Sequence, residues 1–341
     1  MGNVAVVHSL NFSYPAIPIR YFPDFLFTAN SSIAVDALQV TYDSSNANMS
    51  NLSGRVCYAE KLKLWRKINK SVASFNTTFE LNIMGKPDPG GEGMAFILTA
   101  DDAVPFNSEG QWLGIVNATT NGTKEAEIVA VEFDTKKSYM EDADSNHLGL
   151  NINSIKSISQ VPLRSYGVEL LSGTNVKVIV EYDGNLKRMN IFVSMSNGTE
   201  VNTTNPTLSV DIDLTKHLPE DVYVGFSAST GSQVELNCVK SWSFNSTNVE
   251  SGISIQKQLL WLRIMIPTLV IVLLCGLAGY LVWKREENKK KRRDPYIIHR
   301  LESSTASPCS FRLKELKSAT RNFDPIKSLG KEALGQCTRD F

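Results

Sequence analysis

The chain has 341 residues, of which 42% are apolar and 21% charged, a globular composition that excludes a mainly disordered protein, and five cysteines, too few for a disulfide scaffold. The 35 basic and 35 acidic residues cancel overall, but residues 1–258 carry 19 basic and 27 acidic side chains, whereas residues 284–341 carry 15 and 8. This asymmetry predicts that the two parts of the chain lie in different environments.

Residues 1–8 precede the first predicted strand. They contain neither a basic n-region nor an apolar stretch of about 7–15 residues, so they do not form a secretory signal peptide. We interpret them as the remnant of a lost leader region. The alternative, in which a later membrane span directs insertion by itself, stays open.

Residues 9–246 are predicted to form β-structure. Helical periodicity is nearly absent there, whereas apolar and polar residues alternate clearly over 75–83 and 222–226. The nearly continuous apolar run at 128–133 indicates a strand that is buried on both faces.

A hairpin is predicted between two further alternating segments. Residues 176–182 and 189–193 are separated by a turn that contains Asp183-Gly184. Many short strands without a Gly- or Pro-rich linker predict one all-β domain, either a sandwich or a barrel.

Several segments of this region resemble the legume lectins, in that family's order. The resemblance covers about residues 9–246 and implies a flattened two-sheet jelly-roll sandwich. The segments are GEGMAF at 91–96, WLGI at 112–115, VEFDT at 131–135, HLGLNINSI at 147–155, VYVGFSASTG at 222–231 and SWSF at 241–244.

Acidic residues are concentrated at 132–144, in the middle of the region that carries this resemblance. Glu132 and Asp134 are two apart on a predicted strand and therefore share a face, and Asp142, Asp144 and His147 follow in a short loop. Carboxylates packed so densely repel one another unless a cation lies between them. From spacing alone, the cluster is either a metal site or a solvated acidic loop.

The resemblance favours the metal site and implies that it holds Ca²⁺ and Mn²⁺. Carboxylate oxygens suit both ions, and imidazole suits manganese. Ser138 stands where the family has an asparagine ligand, which weakens the expected calcium site. The residues at the family's ligand positions are Glu132, Asp134, Lys136 (through its backbone carbonyl alone), Ser138, Asp142 and His147.

The resemblance also assigns a carbohydrate site, but its residues depart from the family pattern. Glu92 replaces the aspartate of the first sugar-binding loop, Gln111 replaces a glycine of the second, and Ser138 replaces the shared asparagine. Ser232 and Gln233 in the final loop complete the candidate set. Because the Glu92 carboxylate is one methylene longer than that of aspartate, we predict weak or absent binding of simple monosaccharides.

Two cysteines, Cys57 and Cys238, precede the predicted membrane span. An extracellular pair is often disulfide-bonded, and these two lie in the first and last parts of the predicted sandwich. The sequence leaves open whether they form a bond or remain buried thiols.

A single membrane span is predicted at 264–283, after a linker at 247–263. The span has 20 uncharged residues, long enough to cross about 30 Å of hydrocarbon. Seven of the next ten residues are basic, which predicts a cytoplasmic side for the juxtamembrane segment 284–310 and attraction to anionic lipid.

N-glycosylation sequons agree with that orientation, because they all precede the span and none follows it. They predict a type I plasma-membrane protein with an extracellular, glycosylated N-terminal domain. The sequons begin at Asn11, Asn30, Asn48, Asn51, Asn69, Asn76, Asn117, Asn121, Asn197, Asn202 and Asn245.

The last segment, 311–341, resembles the sequence that leads into the kinase domain of plant L-type lectin receptor-like kinases. A kinase needs a glycine-rich loop, a lysine and catalytic carboxylates, of which only the run at 329–335 is present, with Glu332 in place of the middle glycine. We therefore interpret the segment as a kinase remnant and predict no enzymatic activity for this chain.

Three functional hypotheses follow from the sequence. The first is a membrane-anchored, lectin-type receptor-like protein that binds an extracellular glycan, or an apolar or peptide ligand. The second is a fragment of a serine/threonine lectin receptor kinase, and the third is a decoy or interaction protein that binds no sugar. A homodimer through the sandwich is a further expectation, and no feature indicates a nucleic-acid partner.

Overall fold

The structure is a computed structural model. It describes residues 9–42, 48–85, 90–196, 203–247, 249, 253–301, 312–319, 322, 328–332 and 335–338. The predicted leader remnant at 1–8 and the sequons at Asn197 and Asn202 lie outside these residues.

Two antiparallel sheets form the N-terminal part of the chain, as the alternating sequence predicts. The first, sheet I, has β16 near its centre, flanked by β7 and β4, while β1 also pairs with β16. In chain order its strands are β1 (Asn11–Tyr14), β3 (Ser32–Ala34), β4 (Ala37–Gln39), β7 (Phe75–Gly85), β12 (Val176–Asp183), β13 (Arg188–Met195), β14 (Leu208–Asp211) and β16 (Glu235–Ser246).

Sheet II runs in the order β11-β10-β9-β8-β15-β5-β2, with β6 also paired to β15. Its strands are β2 (Phe25–Ala29), β5 (Ser53–Tyr58), β6 (Leu62–Lys63), β8 (Gly93–Thr99), β9 (Ile128–Asp134), β10 (His147–Ile152), β11 (Ser157–Pro162) and β15 (Asp221–Ser229). The predicted strands at 75–83, 128–133 and 222–226 correspond to β7, β9 and β15, and the predicted hairpin corresponds to β12 and β13.

The core between the sheets is rich in aromatic side chains. Phe79 of sheet I contacts Phe96 and Phe226 of sheet II, with ring centroids 5.4 and 5.0 Å apart, and Trp242 packs on Phe226 at 4.8 Å. Aromatic pairs at these distances stabilise a core beyond their buried area. They fix the face-to-face stacking of the two sheets and confirm the predicted sandwich.

Sheet II is also covered on its outer face, the face that points away from sheet I. Val129 and Val131 of β9 join the inter-sheet core, whereas Ile128 and Ala130 join a second apolar cluster beneath Leu113. This double burial explains the continuous apolar run of the sequence, as predicted.

Cys57 and Cys238 do not form a disulfide, so the bonded alternative is wrong. Cys238 belongs to sheet I. Cys57 lies in sheet II, and because its neighbour Val56 points into the inter-sheet core, the Cys57 thiol points the other way, into the outer cluster. The sandwich therefore separates the two sulfur atoms.

The chain divides into two compact units, of which the second begins at Lys257. Helix α1 runs over Ile253–Leu301, starting within the segment predicted as a linker. Its stretch Trp261–Lys290 is long and apolar enough to cross a membrane, and it contains the predicted span 264–283. Helix α2 (Leu313–Ala319) and the antiparallel strands β17 (Ser328–Glu332) and β18 (Gly335–Thr338) follow.

Candidate functional site

The end of β9 places two carboxylates on the outer face of sheet II. Val131 and Phe133 point into the inter-sheet core, so Glu132 and Asp134, which alternate with them, point the opposite way. His147 is the direct partner of Asp134 on β10. These three side chains are buried, at 3%, 6% and 1% exposure. Three of the predicted metal ligands therefore share one buried patch.

Glu132 is held by side chains of sheet II. Its Oε2 accepts hydrogen bonds from Asn151 Nδ2 at 2.9 Å and from Ser157 Oγ at 3.0 Å. Gly149 lies opposite, where a Cβ atom would overlap Ser157 Oγ. Burial raises the pKa of Glu132 to about 7, because these hydrogen bonds only partly offset the loss of solvation.

Asp134 is oriented by the turn that follows β9. The Lys136 backbone N–H donates to Asp134 Oδ1 at 2.6 Å. Burial raises the pKa of Asp134 well above its usual range, and repulsion from Glu132, Asp142 and Glu92 raises it further. A neighbouring cation would favour the charged forms of these carboxylates.

Asp142 and His147 are held by backbone groups. The Tyr139 N–H donates to Asp142 Oδ2 at 2.6 Å, and His147 Nδ1 lies 2.8 Å from the Asp144 carbonyl oxygen. A carbonyl only accepts, so Nδ1 carries the proton and His147 Nε2 is left as the basic nitrogen. A backbone carbonyl on the other ring nitrogen is the usual arrangement of a metal-binding histidine.

The donor chemistry of these residues fits a divalent metal. In Glu132, Asp134 and Asp142 one carboxylate oxygen accepts hydrogen bonds, while the other accepts none from the residues that the structure describes. Among those residues, however, no three His, Cys, Asp or Glu side chains are arranged so that they could hold a metal ion. Convergence of the four predicted ligands on a metal therefore stays a prediction.

Glu92 lies in a partly buried ion pair. Lys136 Nζ lies 2.6 Å from Glu92 Oε1, and Ser138 Oγ donates to Oε2 at 2.9 Å. The Glu92 side chain is only 5% exposed. Two of the candidate sugar-binding residues, Glu92 and Ser138, therefore contact each other, and Lys136, assigned a role only for its backbone carbonyl, contributes its side chain as well.

The final loop lies against the same carboxylate. A Cβ atom at Gly231 would overlap Glu92 Oε1, so the absence of a side chain there makes room for Glu92. Ser232 is exposed and Gln233 half-buried directly after this contact. The structure therefore places both residues next to the Glu92 loop.

Gln111 reaches the site from the second loop. It is exposed within a short 3-10 helix, Gly110–Trp112, whose first N–H donates to the Thr230 carbonyl at 3.1 Å. Ser229 Oγ donates to the Gly110 carbonyl at 2.5 Å. These bonds fix the loop of Gln111 beside the start of the final loop.

Glu235 is a site residue that the sequence analysis missed. Its carboxylate accepts hydrogen bonds from the Gly91 N–H (3.0 Å), the Gly93 N–H (2.5 Å) and Thr135 Oγ1 (2.8 Å). It thus holds the backbone on both sides of Glu92 and ties it to the end of β9. An acidic residue in the inward phase of an alternating strand is the sequence signal that reveals it.

The chain is similar to plant lectins and to lectin receptor kinases. The family model "Legume lectin domain" matches residues 9–259. The chain is 41% identical, over 96% of its length, to the probable L-type lectin-domain containing receptor kinase S.5 of Arabidopsis thaliana, and it covers 49% of that relative. It is 34% identical to a mannose/glucose-specific lectin of Centrolobium tomentosum, over 62% of this chain and 84% of that lectin.

Solved structures give the same result. Lectin II from Ulex europaeus has a TM-score of 0.61 at 30% identity, and the match covers 70% of this chain and 98% of that lectin. A Bauhinia forficata lectin in complex with GalNAc has a TM-score of 0.60 at 31% identity, and the match covers 71% of this chain and 100% of that lectin. The chain spans about half the length of the curated receptor kinases that it matches.

Proposed function

Because the chain belongs to the legume lectin family, we propose that it is a single-span, lectin-type receptor-like protein of the plasma membrane. Its sandwich binds a carbohydrate or a related extracellular ligand outside the cell. The candidate membrane helix after the sandwich and the basic run at 284–293 support this placement. The same basic run gives the cytoplasmic side an affinity for anionic lipid.

The observation that carries the ligand-binding proposal is the meeting of three loops around Glu92. The loops at 90–93, 135–138 and 230–234 come together at one end of the central strands of sheet II, where β8 begins and β9 and β15 end. Ser138 and Lys136 contact the Glu92 carboxylate there. Loops held on a rigid sheet are the usual location of binding residues. Exposed Ser232 and Gln111 border these loops and are available to a ligand.

We propose that a divalent metal is held by Glu132, Asp134, Asp142 and His147. Such an ion would neutralise the buried carboxylates and stiffen the turn after β9. Ser138 does not suit the calcium position, because its hydroxyl is directed to Glu92 instead. We therefore expect the calcium half of the site to be the weaker one.

The ion pair of Glu92 favours a ligand other than a simple monosaccharide. A carboxylate that already accepts from an ammonium and a hydroxyl can accept from a sugar only through its remaining lone pairs or by exchanging those bonds. Each hydrogen bond to a charged group contributes about 1.5–3 kcal/mol, so the exchange leaves little net affinity. A larger glycan, or an apolar or peptide ligand, that contacts the surrounding loops does not depend on that exchange.

A second candidate is the extracellular and membrane part of a lectin receptor kinase. The match to the Arabidopsis kinase extends over 96% of this chain, through the helix and beyond it, which favours this candidate. In this case ligand binding outside the cell would regulate a cytoplasmic kinase. The third candidate is an interaction protein without sugar affinity. It differs from the first candidate only in that its extracellular ligand is not a sugar.

Orientation is tested first, on the full chain with a cleavable signal sequence and a C-terminal tag in cultured cells. External glycosidase should shift its gel mobility, and external protease should leave the tag intact. A protected N-terminal domain with no mobility shift would refute the extracellular placement.

Ligand class is tested next with the same protein in lipid nanodiscs on a glycan array, with calcium and with EDTA. Binding of an oligosaccharide that Ser232→Ala or Gln111→Ala weakens would support a lectin. Absence of binding to every glycan, with the protein folded, would favour the interaction protein.

A further inference from the structure

Three of the predicted glycosylation sites form one row across sheet I. Asn11 on β1 is the direct partner of Asn245 on β16, and Asn245 is the direct partner of Asn76 on β7. Directly opposite residues of antiparallel strands share a face, with Cβ atoms about 4.5–5.5 Å apart. Far apart in the sequence, the three asparagines are therefore neighbours in the fold.

The row lies on the outer face of sheet I, the face that points away from sheet II. Phe12, Phe75 and Phe244 each adjoin one of the three asparagines in sequence and are buried in the inter-sheet core. The asparagines point the opposite way and are exposed. Modification at the row therefore does not disturb the core.

The amide of Asn76 has a defined environment. Its Nδ2 donates one hydrogen to Glu181 Oε1 at 2.9 Å, which leaves the second hydrogen available for substitution. In N-glycosylation this nitrogen displaces the diphosphate of a lipid-linked oligosaccharide from the anomeric carbon and loses one proton. The remaining N–H can keep its bond to Glu181.

A groove adjoins the row and has room for sugar. It has a volume of about 380 Å³, within the range of small-molecule sites. It offers a carboxylate, a guanidinium, a tyrosine and an apolar side chain. Its lining includes Asn76, Asn245, Glu181, Tyr182, Leu186 and Arg188.

The rest of this face is polar. The row continues from Asn76 through Glu181 to Asn190 and Ser209 on the next strands. Ser209 Oγ donates to Asn190 Oδ1 at 2.6 Å. Protein interfaces have cores that are depleted of charged groups and enriched in aromatic ones. This row contains a charged carboxylate and no aromatic side chain, so it does not resemble the core of an interface.

We propose that Asn11, Asn76 and Asn245 form one cluster of N-linked glycans, whose first sugars lie in the adjoining groove and shield the outer face of sheet I from other proteins. The proposal rests on the extracellular placement of the sandwich. It also implies that any homodimer of the glycosylated protein uses another surface.

Mapping of site occupancy tests the cluster. The full chain, with a cleavable signal sequence, is produced in human cells and deglycosylated by a peptide N-glycosidase in ¹⁸O water, which converts each occupied asparagine to labelled aspartate. Label at two or three of the row positions supports the cluster. Label at one or none, with the exposed Asn51 labelled, overturns the cluster but leaves the extracellular placement intact. No label at any sequon overturns both.

Hydroxyl-radical footprinting tests the shield. Leu186 in the groove is 70% exposed in the protein chain, and Ile158 on sheet II, 54% exposed, is its control. Deglycosylation should raise oxidation of Leu186 several-fold and leave Ile158 unchanged. Equal oxidation of Leu186 before and after deglycosylation would overturn the shield. The Asn76→Gln, Asn245→Gln double variant should reproduce the deglycosylated pattern.

Discussion

The Lys136 ammonium lies 2.6 Å from Glu92 Oε1, in a pair whose carboxylate side chain is 5% exposed. The two residues are brought together by sheet II, since Glu92 precedes β8 and Lys136 follows β9, and Gly93 is the direct partner of Asp134. Lys136 is thus paired with the carboxylate that the family resemblance assigns to sugar binding. It therefore connects the stability of the site with its ligand specificity.

Removal of the ammonium should destabilise the protein. In Lys136→Met the Glu92 carboxylate stays buried and keeps, among the described residues, the hydrogen bond from the Ser138 hydroxyl alone, and an incompletely compensated buried group costs about 1–3 kcal/mol. We expect a loss of this size in urea unfolding followed by the fluorescence of buried Trp242. The Glu92→Gln, Lys136→Met double variant should recover part of it.

Lys156→Met is the matched control, because its pair with Glu141 is exposed, at 54% and 56%. Exposed pairs contribute about 1 kcal/mol or less, so this variant should unfold nearly as the parent does. Equal losses for the two lysine variants would contradict a special role for Lys136.

Simple hexoses should bind weakly or not at all. Calorimetry with mannose, glucose, galactose and fucose in calcium should give no sub-millimolar affinity. Restoring the family residues by Glu92→Asp with Ser138→Asn should not suffice, because Lys136 still pairs with the carboxylate. Adding Lys136→Ala should create measurable binding. Sub-millimolar binding by the parent that Glu92→Ala abolishes would show that the ion pair is compatible with sugar recognition.

Stability should fall as pH rises from about 5 to about 7. Burial raises the pKa of Glu235 to about 7, although hydrogen bonds from Thr135, Gly93 and Gly91 oppose the rise. Between the ordinary carboxylate pKa and this value the folded state binds more protons than the unfolded state, so each such group reduces stability by up to about 1.4 kcal/mol per pH unit. Above pH 7 its contribution is constant.

Glu235→Gln tests this assignment, because the amide is neutral at every pH. Urea unfolding in EDTA at several pH values should show the variant gaining stability relative to the parent between pH 5 and 7.5. Glu132, with a pKa also raised to about 7, should leave a residual slope in the variant. Glu60→Gln, at an exposed position, serves as control, and a parent slope retained in full by Glu235→Gln would refute the assignment.

Divalent metal should bind at the end of β9. Calorimetry on the EDTA-stripped protein should detect Mn²⁺ binding that Glu132→Gln or His147→Ala reduces at least tenfold, because each removes one proposed ligand. Glu141→Gln is the control, since this carboxylate belongs to the same acidic loop but pairs outward with Lys156. Equal affinities for all three variants would place the metal elsewhere or exclude it.

Much of the fold could be predicted from local patterns. Alternation fixes which residues of β7 and β12 point inward, because a strand has a period of two and sheet I buries one face against sheet II. The apolar run of β9 needs a second cover, which the cluster around Leu113 provides. These features depend on residues that are close together in the sequence, so they can be predicted without the tertiary structure.

The hydrogen bonds of the site could not be predicted in the same way. The role of Glu235 depends on a contact with Gly91 and Gly93, which lie 144 and 142 residues earlier in the chain. The separation of Cys57 from Cys238 depends on which face of sheet II carries the first thiol. Nothing in the local sequence reports on such long-range pairings.

The sequence pattern by itself determined the all-β fold class and the candidate membrane helix, because hydrophobic period and composition are local properties. The resemblance to the legume lectins supplied the sandwich and the position of each candidate ligand. Only the tertiary structure decided that Lys136 neutralises Glu92, that Glu235 holds the loop around it, and that Asn11, Asn76 and Asn245 share a row. The physical reason is that the register of paired strands sets which distant side chains meet, and that register results from packing of the whole sandwich.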